Sequence, residues 1–226
     1  SRVTKQDVRI LTLLESSPAD QLQPKLQTRH YAKPGDALPQ YYPVICNIET
    51  NKVFAIDKQF VDNQFSLGYA SWRQDSKSVT FEFNKRGHQQ YAIVKLDAET
   101  GQSKYIINEV SNTFIDYSGK KFRYDVNDGK EIIWSSERNG WNHLYLFDGE
   151  SGQIINQITE GEWVVRKVVN VDEKNRQIIF EGSGRNKKED PYLIHYYKVG
   201  FDGKNLKELT KEEANHTAYF NEDFSY

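Results

Sequence analysis

An all-β fold made of repeated four-stranded antiparallel sheets is predicted by three observations. First, a turn recurs: Asn47-Ile48-Glu49-Thr50-Asn51, Asp97-Ala98-Glu99-Thr100-Gly101 and Asp148-Gly149-Glu150-Ser151-Gly152 align residue on residue, and Phe201-Asp202-Gly203-Lys204 is a shorter fourth copy. Their Asn or Asp positions, 47, 97, 148 and 202, lie 50, 51 and 54 residues apart. Second, each copy follows a β-prone run (residues 43–46, 91–96, 143–147 and 195–199), and a further strand-like run follows each turn. Strand–turn–strand without intervening helix is an antiparallel meander. Third, 14 Tyr and 12 Phe raise the aromatic content to 13%, which favours sheet over helix. A four-strand unit repeated at this period is the sequence signature of a β-propeller blade.

The elements follow in order. Residues 1–7 read as lead-in and 8–14 as a β-run. Residues 15–28 are polar with two prolines and read as a loop, and the Pro34-Gly35 pair marks a tight turn in 30–40. Residues 43–47 and 52–57 make the first complete hairpin, and 60–65 link onward. Runs at 69–72, 78–83, 90–96 and 102–107 form a whole blade. Residues 114–117 are expected to open the next, with 118–126 as an extra segment and 130–135, 142–147 and 153–158 completing it. Residues 163–171, 177–181, 192–199 and 206–209 make the last, with 182–191 as a polar tip, and 218–220 begin another strand. The predicted units are 1–66, 67–109, 110–161 and 162–212, about four blades of a partial β-propeller. Residues 211–214 are the single weak helix candidate.

Charge and motifs narrow the function classes. Thirty basic against 32 acidic residues leave a net charge of −2, so nothing points to nucleic acid. No apolar run reaches the roughly 20 residues needed to span a bilayer. Cys46, the sole cysteine, cannot form an internal disulfide and lies in an apolar run, where burial is expected. The chain starts at Ser1, has no Met and shows no signal-peptide pattern, as expected of a processed or excised piece. His30, His88, His143, His195 and His216 show no metal-ligand spacing, so no metal or cofactor is expected. His143 sits among strand residues and is expected to be structural, bonded to backbone. Glu181-Gly182-Ser183-Gly184 lacks the second spacing of a G-x-S-x-G elbow and reads as a hairpin tip. No catalytic residue is assigned. Asn215-His216-Thr217 fits a glycosylation sequon.

Three motifs carry a family resemblance. Trp134-Ser135-Ser136-Glu137-Arg138-Asn139-Gly140-Trp141-Asn142-His143-Leu144-Tyr145 resembles the W-x-S-E-R-D-G-W-x-H-L-Y segment of the dipeptidyl-peptidase-IV family of serine peptidases, with Asn139 in place of the common Asp. Tyr31-Ala32-Lys33-Pro34-Gly35-Asp36-Ala37-Leu38-Pro39 is similar to that family's YPKPGDPLP, and Ile158-Thr159-Glu160-Gly161-Glu162-Trp163-Val164-Val165 to its LTKGDWEV. The resemblance implies an N-terminal eight-bladed propeller, of which this chain would hold about half. It implies a catalytic α/β-hydrolase domain elsewhere in the protein, acting through a Ser nucleophile with His and Asp.

It further implies a peptide substrate that the propeller admits and orients, and a periplasmic or extracellular location. Family members can line the substrate pocket with a Phe-Arg pair, which makes Phe122 and Arg123 candidate substrate-binding residues. The family's paired glutamates have no match before Tyr31, and Glu212-Glu213 reads as a surface pair. Trp134 and Trp141 are expected to be buried between blades. The open ends of a half-ring, near 8–14 and 218–220, imply a homo-oligomer. The other class left open is a non-catalytic propeller that binds peptide or protein as a scaffold.

Overall fold

The computed structural model describes residues 2–4, 8–68 and 70–221. Among them lie nineteen strands and one 3₁₀ turn, Lys58–Phe60. The first third forms three antiparallel two-stranded pairs. They join β1 (Arg2–Thr4) to β4 (Gln40–Tyr42), β2 (Ile10–Glu15) to β3 (Lys25–His30), and β5 (Val44–Cys46) to β6 (Val53–Ala55). Three larger antiparallel sheets follow. The first runs from β7 (Gln64–Leu67) and β8 (Ser71–Trp72), both on one edge of β9 (Ser78–Lys85), through β10 (Gln90–Asp97) to β11 (Ser103–Val110). The second is the meander β12 (Arg123–Val126), β13 (Glu131–Ser136), β14 (His143–Asp148) and β15 (Ile154–Gln157). The third is the meander β16 (Val164–Asp172), β17 (Gln177–Ser183), β18 (His195–Gly200) and β19 (Lys207–Glu208).

The middle strands are apolar on both faces because both faces are covered, and their two-residue period divides the side chains between neighbours. In β13, Ile132 and Trp134 join Tyr91, Ile93, Ile107 and Phe147 in a core shared with the preceding sheet. Ile133 points the other way and joins Leu144, Leu146, Trp163, Phe180 and Tyr197 in a core shared with the following sheet. The even side chains of β10 do the same against the first hairpins, where Ala92, Val94 and Leu96 meet Phe81, Phe83, Ile45 and Val61. Consecutive sheets therefore stack face to face, as propeller blades do.

The recurring turn has one chemistry. Asn47 Oδ1 accepts from the amides of Glu49 (3.0 Å) and Thr50 (2.9 Å). Asp97 Oδ1 accepts from Glu99 (3.0 Å) and Thr100 (2.7 Å), and Asp148 Oδ1 from Glu150 (3.1 Å) and Ser151 (2.6 Å). Asp202 Oδ1 accepts from Lys204 (3.0 Å). A short acceptor two or three residues upstream substitutes for a backbone turn bond. The chain then reverses through a positive φ at Asn51 (54°), Gly101 (74°), Gly152 (73°) or Gly203 (77°).

Several local expectations are corrected. Residues 25–30 form β3, not loop. Residues 114–117 are not a strand; the edge strand of their sheet is Arg123–Val126, within the segment expected to be extra. Gln64–Leu67 straddles the expected boundary at 66/67 and pairs with β9, and residues 2–55 form three strand pairs in place of one blade. Residues 211–214 and 218–220 take up neither helix nor strand. Tyr69 and residues 222–226, parts of two expected strands, lie outside the described residues. Gly182 and Ser183 belong to β17 and are buried, so 181–184 is no hairpin tip. Cys46 ends β5 and is exposed. Trp134 is 2% exposed, but Trp141 is 41% exposed, because it follows the turn closed by Gly140 (φ 92°) and does not enter the stacked cores.

Candidate functional site

A cavity of about 200 Å³ opens where the first two large sheets meet. The β13–β14 turn and the connector between β11 and β12 frame it. Gly140 closes the turn by donating to Glu137 O at 2.8 Å. Arg138 is pinned from several directions. Its backbone N and Nε donate to Ser136 Oγ at 3.2 and 2.9 Å, its guanidinium lies 4.9 and 5.1 Å from the ring centres of Tyr145 and Phe147, and it pairs with Glu109 of β11. The connector is tied to the same turn. Lys120 pairs with Glu137 at 2.8 Å, and Ser135 Oγ donates to Lys120 O at 2.8 Å while accepting from Phe122 N at 2.6 Å. Above the cavity Tyr117 stacks on His88 at 4.3 Å between Phe65 and Phe114. Trp134 lines the cavity, is almost wholly buried, and its Nε1–H has no acceptor among the described residues.

Phe122 and Arg123 part company, since neighbouring residues of an extended chain face opposite ways. Phe122 packs against the core between the second and third large sheets. Arg123 turns towards the first. Its Nε and Nη2 grip the two oxygens of Asp125 at 2.8 Å each, and Nη2 also donates to Thr80 Oγ1 at 2.9 Å. Its Nη1 lies 3.6 Å from Glu82 Oε1. Arg73 adds a 2.6 Å bond to Asp125 Oδ2. Burial pushes the Asp125 carboxyl up, but the hydrogen bonds and charges of Arg123 and Arg73 outweigh it and hold the group below its ordinary value. Burial, with the bond to Glu82 at 2.6 Å, pushes the Tyr91 hydroxyl far above its ordinary range. The donors of Arg123 are thus engaged within the chain, in a network that joins two sheets.

His143 is wholly buried, with Nδ1 3.0 Å from Thr159 Oγ1 and Nε2 2.9 Å from Gly161 O. Burial lowers its pKa, so it is a neutral clamp on the chain after β15. Ser183 Oγ receives Arg166 Nε at 3.2 Å. Glu212 and Glu213 are exposed, and Asn215 Oδ1 accepts from Ile194 N at 3.1 Å. Among the described residues no serine or cysteine side chain is hydrogen-bonded to a histidine. Sequence reasoning found the turn that frames the cavity but not the cavity itself. The available signal was aromatic density at Phe114 and Tyr117 beside the paired lysines Lys120 and Lys121, which read instead as a strand start and a charged insert.

The sequence profile of the dipeptidyl peptidase IV (DPP IV) N-terminal region matches residues 1–226. The chain is 29% identical over 175 residues to a dipeptidyl peptidase 4 of Arthroderma otae, a match covering 74% of this chain and 21% of that protein. It is 28% identical over 181 residues to a dipeptidyl peptidase 4 of Trichophyton equinum, covering 74% of this chain and 22% of that one. The fold superimposes on the crystal structure of Porphyromonas gingivalis dipeptidyl peptidase 4 with a TM-score of 0.69 at 17% identity, covering 91% of this chain and 28% of that one. The chain therefore spans about a quarter of the length of these relatives.

Proposed function

The chain belongs to the family of dipeptidyl peptidase IV N-terminal regions, and from that premise we propose that it is the propeller portion of a serine-type dipeptidyl aminopeptidase. In this reading the stacked sheets restrict access to an active site and orient peptides, and a separate α/β-hydrolase domain of the same protein carries the Ser, His and Asp. The observation that carries it is the family match along the entire chain, beside relatives several times longer. Arg123, fixed by Asp125 and Thr80, then acts as a positioning residue that holds two sheets in register beside the peptide path, with Phe122 setting the adjoining face. The reading also places the protein in the periplasm or outside the cell, which fractionation of the native source checks.

The experiment is hydrolysis of a chromogenic X-Pro dipeptide anilide. The 226-residue chain should be inactive, and a longer product of the same gene should be active and blocked by a serine-directed phosphonate. Activity in the chain alone, or none in the longer product, overturns the reading. We extend the proposal to self-association of the chain, because Val53, Phe65 and Trp72 leave apolar surface exposed beside the first strand pairs. Sedimentation at tens of micromolar should show dimers or larger species; a monomer refutes this extension.

A further inference from the structure

One motif of the sequence is left unused by the peptidase reading. Of the sixteen asparagines in the chain, Asn215 is the one followed two positions later by a hydroxyl residue, as Asn215-His216-Thr217. Such a triplet is the acceptor sequence for N-linked sugar when it lies on the surface of an exported protein. Three residues can match by chance, so the surroundings decide what the match is worth. Residues 211–217 form a surface segment that is neither helix nor strand. The segment is fixed from one side: His216 N donates to Ile194 O at 3.1 Å, and Asn215 Oδ1 accepts from Ile194 N at 3.1 Å. Only the oxygen of a carboxamide can accept from an N–H, so this bond settles which end of the Asn215 side chain is tied down. Nδ2, the atom that carries the sugar in an N-linked glycan, donates to no other group among the described residues. Asn215 and Thr217, the two residues the triplet requires, are exposed, while His216 between them is half-buried, with Nε2 2.9 Å from Glu212 O. The segment therefore presents the required side chains and turns the free one inward. A second observation comes from the flanks. Tyr192 and Tyr219 are 77% and 94% exposed, and their bare ring faces suit the C–H face of a sugar.

We propose that Asn215 is a modification site, the acceptor of an N-linked glycan transferred from a lipid-linked oligosaccharide diphosphate. In the transfer Nδ2 attacks C1 of the first sugar. The Nδ2–C1 bond forms and the C1–O bond to the lipid diphosphate breaks. One amide proton passes to a carboxylate base of the transferase, and the lipid diphosphate leaves. Oδ1 is untouched, so the bond from Ile194 N survives the modification. The inference rests on the proposed function for one point, the location outside the cytoplasm, and is independent of the peptidase chemistry.

The test is mass spectrometry of the peptide that contains Asn215, from protein purified from the native source and fractionated at the same time. The peptide should carry the added mass of hexosamine and hexose residues. Thr217→Val replaces the hydroxyl by a methyl and leaves the Asn215–Ile194 bond in place, and it should abolish the modification; Thr217→Ser should retain it. Exported protein with a bare Asn215 overturns the inference and leaves the location and the peptidase reading standing. Protein confined to the cytoplasm overturns the inference and the location together. Sugar that persists on Asn215 in Thr217→Val overturns the assignment to this triplet. Glu213, exposed two positions before Asn215, separates two kinds of transferase: those that also require a carboxylate there and those that read the triplet alone. Loss of sugar in Glu213→Gln assigns the first kind and retention the second; both uphold the site.

Discussion

Asp97 shows how one side chain can hold a turn and record pH at once. Its Oδ1 accepts from the Thr100 hydroxyl (2.8 Å) as well as from two amides, and these bonds hold its pKa below the ordinary 3.8. A carboxyl depressed on folding contributes stability that is present above its unfolded pKa and is lost as pH falls through the folded one. Asn47 makes the corresponding bonds with a carboxamide. Asp97→Asn should therefore keep the turn and remove its titration. Chemical denaturation should show the parent losing stability below about pH 4 and the variant losing less over the same interval. An equal acid slope in both would show that the Asp97 bonds carry no linkage.

Gly149 tests close approach. A Cβ there would lie 1.7 Å from Gly129 O, across the junction of two turns that is also bridged by Gly149 N donating to Lys130 O at 2.8 Å. Gly149→Ala should cost about 2–3 kcal/mol, at the upper end of overpacking effects. Gly140→Ala, with open space around it and only a positive φ to strain, should cost about 1 kcal/mol. Urea titration of both variants decides the order, and equal losses would mean that the turn junction yields freely.

At the scale of elements, what the sequence makes legible follows how each strand obtains its partners. β10, β13, β14 and β18 are apolar runs beside turn residues, and composition alone exposes them. β3 is exposed along its whole length, so no periodicity marks it; its bonds to β2 create the strand. β12 hides for another reason. Residues 118–126 read as an extra segment with Arg123 as a substrate-binding candidate, yet Arg123 and Asp125 are spent on ion pairs to Glu82 and Arg73 across a sheet interface. Residues 114–117 fail in the opposite direction, because their aromatics suggest a strand but stack on His88 and Phe65. The candidate site was half legible on the same logic. The Glu137–Gly140 turn has a distinctive spelling, whereas an unsatisfied indole N–H is a property of packing that no spacing encodes.

For the whole molecule, the division of each middle strand between two cores means that no sheet owns its interior. β13 serves both neighbours, with Trp134 facing one and Ile133 the other. Ion pairs follow the same seams, with Lys95 reaching Glu150 at 2.7 Å and Arg176 reaching Glu131 at 2.7 Å. Stability in such a stack is a chain of nearest-neighbour terms. Losing an outer sheet strips half the cover from the next, so unfolding should travel inward like a row of books losing its bookend. Hydrogen exchange reads this directly. Amides of β13 and β14 should be the slowest, those of β18 intermediate, and those of the β2–β3 hairpin the fastest, its side chains being mostly exposed. Uniform protection across the three large sheets would instead reveal a single cooperative block. If the gradient is found, the strand that bears the Trp134 N–H is the last to loosen, and the cavity beside it would keep its shape while the rim of the molecule breathes.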